Sequence, residues 1–258
     1  MVVAQPKTKA AELAERVNAM WSKLVETGVL DDFDWHSLRR ELEKSEKNPE
    51  LRSDSYLLRA VVYSFKQDID SVERMLNLHA GVLGKTWNWY AVRAGIGPSI
   101  SNLSYVLEML SFGYPKDNPT DLVRVLEPVT QFGLFSTAKN VVAQFHKIGI
   151  ADVQPLTSAN VAYAIAAANY FEAHGVDERE VALRIKCASE IVRKHFTRLK
   201  NFRLTANEWG VSFEYIVDAE IEYLIDVDWE ITEALCVMFD DPLSEHVTIG
   251  TTPEDKEL

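Results

Sequence analysis

The stretch from Asp70 to Gly149 constrains the fold most strongly, because it repeats one order of helix-capping residue, apolar periodicity and glycine. Asp70, Ser101 and Ser136 are 31 and 35 residues apart, and their residue types cap helix N-termini. The second, fifth and sixth positions after each of them are apolar and share one helix face: Val72, Met75, Leu76; Leu103, Val106, Leu107; Ala138, Val141, Val142. Each pattern then meets a glycine, the usual residue just past a helix end, at Gly81 or Gly84, Gly113 and Gly149. The pattern predicts three related helices.

A second set of helices is predicted between these. Its capping residues are Thr86, Thr120 and Ser158, which are 34 and 38 residues apart. Glycines again follow, at Gly95 or Gly97, Gly133 and Gly175. A period of 30 to 40 residues is typical of helical hairpins that stack into a solenoid, because one hairpin cannot bury its apolar face alone. The alternative is an irregular all-helical bundle.

This stretch resembles the tetratricopeptide-like class of helical-hairpin repeats over residues 55–196. The period near 34 carries the resemblance, together with the pairing of residues 87–96 with 101–111 and of 120–132 with 136–147. The small residues that mark the class do not recur at regular offsets here. The resemblance implies a concave surface that binds peptides or protein partners.

Length and composition are those of an ordinary globular protein. The chain has 258 residues, 47% hydrophobic and 26% charged, and contains no run of 18 apolar residues that would predict a membrane span. The N-terminus lacks the apolar core of a signal peptide. Cys187 and Cys236 lie in apolar contexts, which favours two buried thiols over a disulfide. We therefore expect a cytoplasmic protein.

The charge is unevenly distributed. Residues 201–258 hold fifteen acidic and two basic residues, so they carry −13, whereas residues 1–200 carry +1. This asymmetry argues against nucleic-acid binding by the acidic part, since phosphates would be repelled. We predict a mainly α protein with a helical repeat domain at 1–203 and an acidic α+β subdomain with a frayed tail at 204–258.

Between Val211 and Ile231 the apolar pattern changes to alternation. Odd positions are apolar and most even positions are polar, which favours β-strands. Because 21 residues exceed an ordinary strand, we expect a break near Asp218–Glu220, further strands at 235–239 and 247–249, and antiparallel pairing. Helix is the competing prediction, because Ile221, Leu224, Ile225 and Trp229 also fit one helical face.

A strand would place five carboxylates on one face: Glu220, Glu222, Asp226, Asp228 and Glu230. One interpretation is a solvated face whose charge prevents edge pairing. A second is a docking face for a basic partner, such as a nucleic-acid-binding protein, with the carboxylates standing in for phosphates. A third is a Mg²⁺ or Mn²⁺ site at Asp226 and Asp228.

Two further clusters have both a structural and a functional interpretation. Trp87, Trp89 and Tyr90 are either core packing or an aromatic anchor on a binding groove. The basic residues at the end of the helix predicted after Asp177 either complement the acidic segment or contact a phosphate: Arg193, Lys194, His195, Arg198, Lys200 and Arg203.

The sequence contains no phosphate-binding loop, dinucleotide fingerprint or nucleophile elbow, and its six histidines have no metal-ligand spacing. We therefore expect no cofactor and no enzymatic activity. The leading prediction is a protein-interaction module, an adaptor, regulator or inhibitor. The alternatives are an acidic nucleic-acid mimic that inhibits a nucleic-acid-binding enzyme, and a divalent-metal-dependent enzyme. The sequence leaves the oligomeric state open.

Overall fold

The structure, a computed structural model, describes residues 8–150, 156, 158–196, 201–241 and 243–254. Over these residues the chain forms eleven α-helices and a three-stranded sheet in its C-terminal part. The predicted mainly α composition with a small C-terminal sheet is confirmed. The chain divides into two compact units, the first ending at Ile100 and the second beginning at Ser101. The boundary predicted at 203 lies inside the first strand, Asn201–Asn207.

The first unit consists of five α-helices followed by a short 3-10 helix at Gly97–Ile100. The helices are α1 (Lys9–Thr27), α2 (Asp32–Ser45), α3 (Arg52–Ser64), α4 (Ile69–Leu83) and α5 (Trp87–Ile96). Thr8 is the N-cap residue of α1, and its hydroxyl accepts a hydrogen bond from the Ala11 amide; the left-handed Gly28 is the C-cap residue. Helix α3 packs against α1, α2 and α4 and carries much of the core of this unit, including Leu57, Ala60 and Val62.

The second unit begins with five α-helices, α6 (Leu103–Phe112), α7 (Pro119–Gln131), α8 (Phe135–Lys147), α9 (Ala159–His174) and α10 (Glu178–His195). Helix α8 packs between α7 and α9. Ser158 and Asp177 cap α9 and α10 as predicted. Helix α8 has no side-chain cap of its own, and the Glu178 carboxylate accepts hydrogen bonds from the Ser136 and Thr137 amides at 2.7 and 3.2 Å.

Strands β1 (Asn201–Asn207) and β2 (Gly210–Val217) form an antiparallel hairpin joined by Glu208 and Trp209. The alternation predicted for β2 is present, because Val211, Phe213, Tyr215 and Val217 are buried. The break near Asp218–Glu220 is also confirmed, since β2 ends at Val217. The next element is a helix, α11 (Ile221–Met238), rather than a strand.

Helix α11 overturns the strands predicted at 221–231 and 235–239. It serves as the crossover that returns the chain to β3 (Val247–Pro253), which pairs with β2 in parallel. The prediction of purely antiparallel pairing is therefore wrong for this pair. A parallel partner requires a long connection between the strands, and the acidic segment supplies it as a helix.

Side chains from two helices occupy both outer edges of this sheet. On β1, the Asn160 side chain of α9 donates to the Phe202 carbonyl at 3.2 Å and accepts from the Leu204 amide at 3.4 Å. On β3, the Asp228 carboxylate of α11 accepts from the Thr251 amide at 2.8 Å. Because unpaired strand edges invite pairing with other chains, these two side chains limit access to both edges.

Candidate functional site

Helix α11 is the element that presents the acidic segment to solvent. Its buried residues, Leu224, Val227, Ile231 and Leu235, follow one another at intervals of three, four and four positions, so they form one stripe. The helix packs against α10 and β3. This apolar stripe determines which side of α11 faces the core. The stripe follows helical spacing and differs from the set of odd-numbered apolar residues that predicts a strand.

The opposite side of α11 combines exposed apolar residues with carboxylates. Ile225 is 53% exposed and Trp229 is 69% exposed, although both belong to the apolar alternation of the sequence. We call the following residues the outer face of α11: Ile221, Glu222, Ile225, Asp226, Trp229 and Glu233. All six are exposed. A surface depression beside Trp229 is lined by Asp226, Glu233 and Cys236, among others.

Three of the carboxylates on α11 have no cationic partner in the described part of the chain. They are Glu222, Asp226 and Glu233, none of which forms an ion pair with the residues at 8–150, 156, 158–196, 201–241 and 243–254. The helix itself contains no lysine or arginine. Its outer face therefore carries negative charge next to an exposed tryptophan, and no described cation forms an ion pair with that charge.

Asp228 does not belong to that outer face. It is half-buried, and one of its oxygens accepts hydrogen bonds from both the amide and the hydroxyl of Thr251 at 2.8 Å. Burial raises the pKa of Asp228, while the bonds from Thr251 act in the opposite direction. This carboxylate connects α11 to β3.

Glu230 is also occupied within the chain. One oxygen accepts from His195 Nε2 at 2.6 Å and the other from the Lys194 ammonium at 3.2 Å, and the second ring nitrogen of His195 lies 2.8 Å from the Tyr223 hydroxyl. The hydrogen bonds from His195 and Lys194 lower the pKa of Glu230. The contact joins the end of α10 to α11.

The five carboxylates predicted to form one row are therefore not one surface. Successive residues of a helix are turned by about 100°, so the alternate positions that share a strand face are distributed around α11. Glu220 is the exposed N-cap residue of the helix, Glu222 and Asp226 lie on its outer face, and Asp228 and Glu230 make internal contacts.

The proposed pairing of Asp226 with Asp228 at a metal depends on the strand and is lost with it. In the helix Asp226 is exposed while Asp228 is bound to Thr251. Within the residues that the structure describes, no group of three or more histidine, cysteine, aspartate or glutamate side chains is arranged to hold a metal ion.

The aromatic residues predicted as possible anchors lie in the first unit, at the start of α5. Trp89 is 2% exposed, and its indole N–H donates to the Leu76 carbonyl at 2.9 Å, so it is a core residue. Trp87 and Tyr90 are half-buried. The core-packing interpretation is the one that the structure shows for Trp89.

The basic cluster is partly used inside the second unit. Arg193 is half-buried, its Nε donates to the Ser101 hydroxyl at 2.7 Å, and burial lowers its pKa to about 10. Lys194 and His195 contact Glu230, which is the expected complement to the acidic segment. Arg198 and Lys200 lie outside the described residues, and Arg203 is half-buried in β1.

The two cysteines differ in exposure. Cys187 of α10 is buried, with its sulfur 3.4 Å from that of Met238, whereas Cys236 of α11 is exposed, and both are free thiols. The prediction of two buried thiols is therefore wrong for Cys236. Its apolar sequence neighbours, Val237 and Met238, are themselves exposed.

Sequence reasoning missed Trp229 and Glu233 as members of the site. The alternating pattern places Trp229 on the apolar side of a strand, where its side chain would be buried. The signal that finds these residues is the stripe Leu224, Val227, Ile231 and Leu235, because it defines which side of the helix faces the core and which faces solvent.

Comparison with protein-family models, with curated proteins and with solved structures finds no match to this chain. None of the helices in the described part of the chain combines the length and apolarity that a membrane span requires. The assignment of a function therefore depends on the geometry of the chain itself.

Proposed function

We propose that the chain is a protein-interaction module, an adaptor, regulator or inhibitor, and that the outer face of α11 binds a basic amphipathic segment of a protein partner. One observation carries the proposal. Trp229, 69% exposed, lies among the carboxylates of Glu222, Asp226 and Glu233, which have no cationic partner among the described residues.

The exposed tryptophan supports binding of an apolar group. Tryptophan is among the residues that contribute most to interface energetics, and truncating such an anchor costs about 2 kcal/mol or more. Ile225 lies one helical turn before Trp229 and is also half exposed, so the two side chains offer a continuous apolar strip. A partner with its own apolar strip would remove both from water.

The carboxylates support a basic rather than an acidic partner. Residues 201–258 carry a net charge of −13, and Glu222, Asp226 and Glu233 lie on the part of α11 that faces solvent. Such a charge increases the rate of association with a cationic surface and disfavours anionic competitors. A partner segment with lysine or arginine side chains flanking an apolar strip would match both the negative charge and the exposed apolar residues of this face.

The helical body provides a second candidate surface. If its hairpins stack as in tetratricopeptide-like repeats, a concave face would be available for a peptide, and this stacking stays a prediction. The nucleic-acid mimic also stays an alternative, with less support from α11, since Trp229 and Ile225 interrupt the carboxylates that would imitate phosphates. Its distinguishing property is release of the partner by nucleic acid.

Affinity capture from the lysate of the native host, at low and high salt, tests the proposal. Three baits are compared with the unmodified chain. The first reverses charge at Glu222, Asp226 and Glu233 to lysine, and the second is Trp229→Ala. The third, a control with the same change in net charge, carries Glu26→Lys, Glu50→Lys and Asp117→Lys, three exposed sites outside the α11 sequence.

We expect one basic partner that is lost with both α11 variants, weakened by salt and retained by the control. A purified segment of that partner should bind in isothermal titration calorimetry at least about 30-fold more weakly to Trp229→Ala, which corresponds to the truncation cost above. Capture that both α11 variants retain would contradict the proposal. Retention by both variants together with insensitivity to salt would favour the concave helical surface.

A further inference from the structure

Three aromatic rings cluster where the end of α9 meets the turn before β3. Tyr170 stacks on His174 with their centroids 4.1 Å apart, and the centroid of the His246 ring lies 6.0 Å from that of Tyr170. The two imidazole centroids are 5.7 Å apart. His174 is the last residue of α9 and is exposed, while His246 is half-buried.

The backbone fixes both histidines. The Gly175 amide donates to the Phe171 carbonyl and closes the last turn of α9 beside His174. The His246 amide donates to the Leu243 carbonyl, and its carbonyl accepts from the Val211 amide of β2, each at 2.9 Å. Hydrogen bonds therefore hold the backbone of both histidines, one at the end of a helix and one in the turn before a strand, as a binding site requires.

Hydrogen bonds at the Nδ1 atoms leave the two Nε2 atoms open. His174 Nδ1 lies 2.8 Å from the Tyr170 carbonyl, which can only accept, so Nδ1 carries the proton and the neutral ring has its lone pair on Nε2. His246 Nδ1 lies 3.2 Å from the Tyr170 hydroxyl. Neither Nε2 has a hydrogen-bond partner among the described residues.

We infer that His174 and His246 form a two-imidazole site for a late first-row divalent ion, Zn²⁺ or Cu²⁺, bound through the two Nε2 atoms. Imidazole is a preferred ligand of these ions. Zn–N bonds of about 2.0–2.1 Å place the centroids of two imidazoles on one ion roughly 5–6 Å apart, and the observed separation is 5.7 Å. Water would complete the coordination.

Tyr170 acts as the positioning residue of this site. Ligating histidines usually donate their other ring N–H to a carbonyl or another oxygen, which fixes the tautomer and the orientation of the ring. The backbone carbonyl of Tyr170 does this for His174, and its hydroxyl can do so for His246. A bound ion would tie the end of α9 to the start of β3.

Isothermal titration calorimetry of Zn²⁺ alone into the full chain, in a buffer without chelating groups, tests the inference. The variants are His174→Ala, His246→Ala and Tyr170→Phe. The matched control is His146→Ala, which removes another exposed histidine from the last turn of a helix, α8. Urea unfolding of each variant without metal shows whether it is folded.

We expect one saturable site, weakened at least tenfold by either histidine variant and about tenfold by Tyr170→Phe, and unchanged in the control. Zn²⁺ should also raise the melting temperature of the unmodified chain and of His146→Ala, but not of His174→Ala. If His246→Ala does not fold, His174→Ala decides the outcome, because its side chain is exposed. The absence of saturable binding, or equal losses in the control, would overturn the inference.

Discussion

The Asp228 carboxylate of α11 accepts two hydrogen bonds from Thr251 of β3, one from the amide and one from the hydroxyl, both at 2.8 Å. The amide belongs to the outer edge of the sheet, where no further strand pairs with β3 in the described part of the chain. Gly250 lies directly against the carboxylate, since a Cβ there would be 3.3 Å from both of its oxygens. The contact fixes the crossover helix α11 to β3, the strand that follows it in the chain.

Replacement of Asp228 by alanine should therefore destabilise the second unit more than replacement by asparagine. Alanine leaves the Thr251 amide without its partner, which costs about 1–3 kcal/mol. Asparagine keeps an oxygen acceptor and removes a charge that burial disfavours, so its free energy of unfolding near neutral pH should equal or exceed that of the unmodified chain. Urea denaturation of both variants at pH 7 measures the difference.

The pH dependence of stability tests the direction of the Asp228 pKa shift. Burial raises the pKa of Asp228 above 3.8, so folding favours the protonated form. The contribution of this group is therefore fully present below its unfolded pKa and decreases as the pH rises through its folded pKa. Asp228→Asn should not show this decrease, and identical pH profiles for the two proteins would contradict the assignment.

The contact of Glu230 with His195 and Lys194 predicts the opposite pH dependence. Its pKa is lowered, so its contribution is present above the unfolded value near 4.5 and is lost as the pH falls through the folded value. Because the side chain is 39% exposed, Glu230→Gln should cost less than about 1 kcal/mol at pH 7. The urea midpoint of this variant should fall less between pH 7 and pH 3 than that of the unmodified chain. Glu222→Gln is the control, because Glu222 forms no ion pair with the residues that the structure describes.

Much of the helical body could be predicted from local signals. Thr8 and Gly28 mark the ends of α1 because they satisfy orphan backbone groups within the sequence itself. The start of α8 could not be found in this way, since its amides are satisfied by Glu178, which is 42 residues away from Ser136. Ser136, which is predicted as the capping residue, is the second residue of the helix, and the N-cap position is Leu134.

The sequence of α11 predicts a strand because the helix contains more apolar residues than it buries. Ile221, Ile225 and Trp229 fill the alternation, yet they are exposed, and they obscure the stripe that faces the core. A pattern of apolar residues predicts which side of an element is buried only if those residues are in fact buried, and many apolar residues of folded proteins are exposed. The same exposed residues form the candidate site, so the feature that misled the structural prediction is the one that suggests the function.

The two thiols should react at very different rates. Burial raises the pKa of Cys187, whereas Cys236 is exposed on α11. Ellman's reagent should modify one thiol of the native protein quickly and the second at least about tenfold more slowly, because the reactive thiolate must be both formed and reached. The fast phase should disappear in Cys236→Ser and persist in Cys187→Ser. A fast phase that survives in Cys236→Ser would place Cys187 at the surface.

Gly133, between α7 and α8, should be less replaceable than Gly175, which follows α9. Both have a left-handed backbone, with φ of +74° and +68°, so alanine introduces backbone strain at each. At Gly133 the added Cβ would also overlap the Cδ1 of Ile185, a fully buried residue of α10, and lie 3.4 Å from a methyl of Val181, whereas nothing lies within 4 Å at Gly175. Gly133→Ala should therefore lower the free energy of unfolding by about 1–3 kcal/mol more than Gly175→Ala, which is the usual cost of overpacking a core.

Ile185→Val combined with Gly133→Ala should recover part of this difference, because it removes the Cδ1 that the new Cβ meets. Equal urea midpoints for the two alanine variants would contradict the close approach of α10 to this turn.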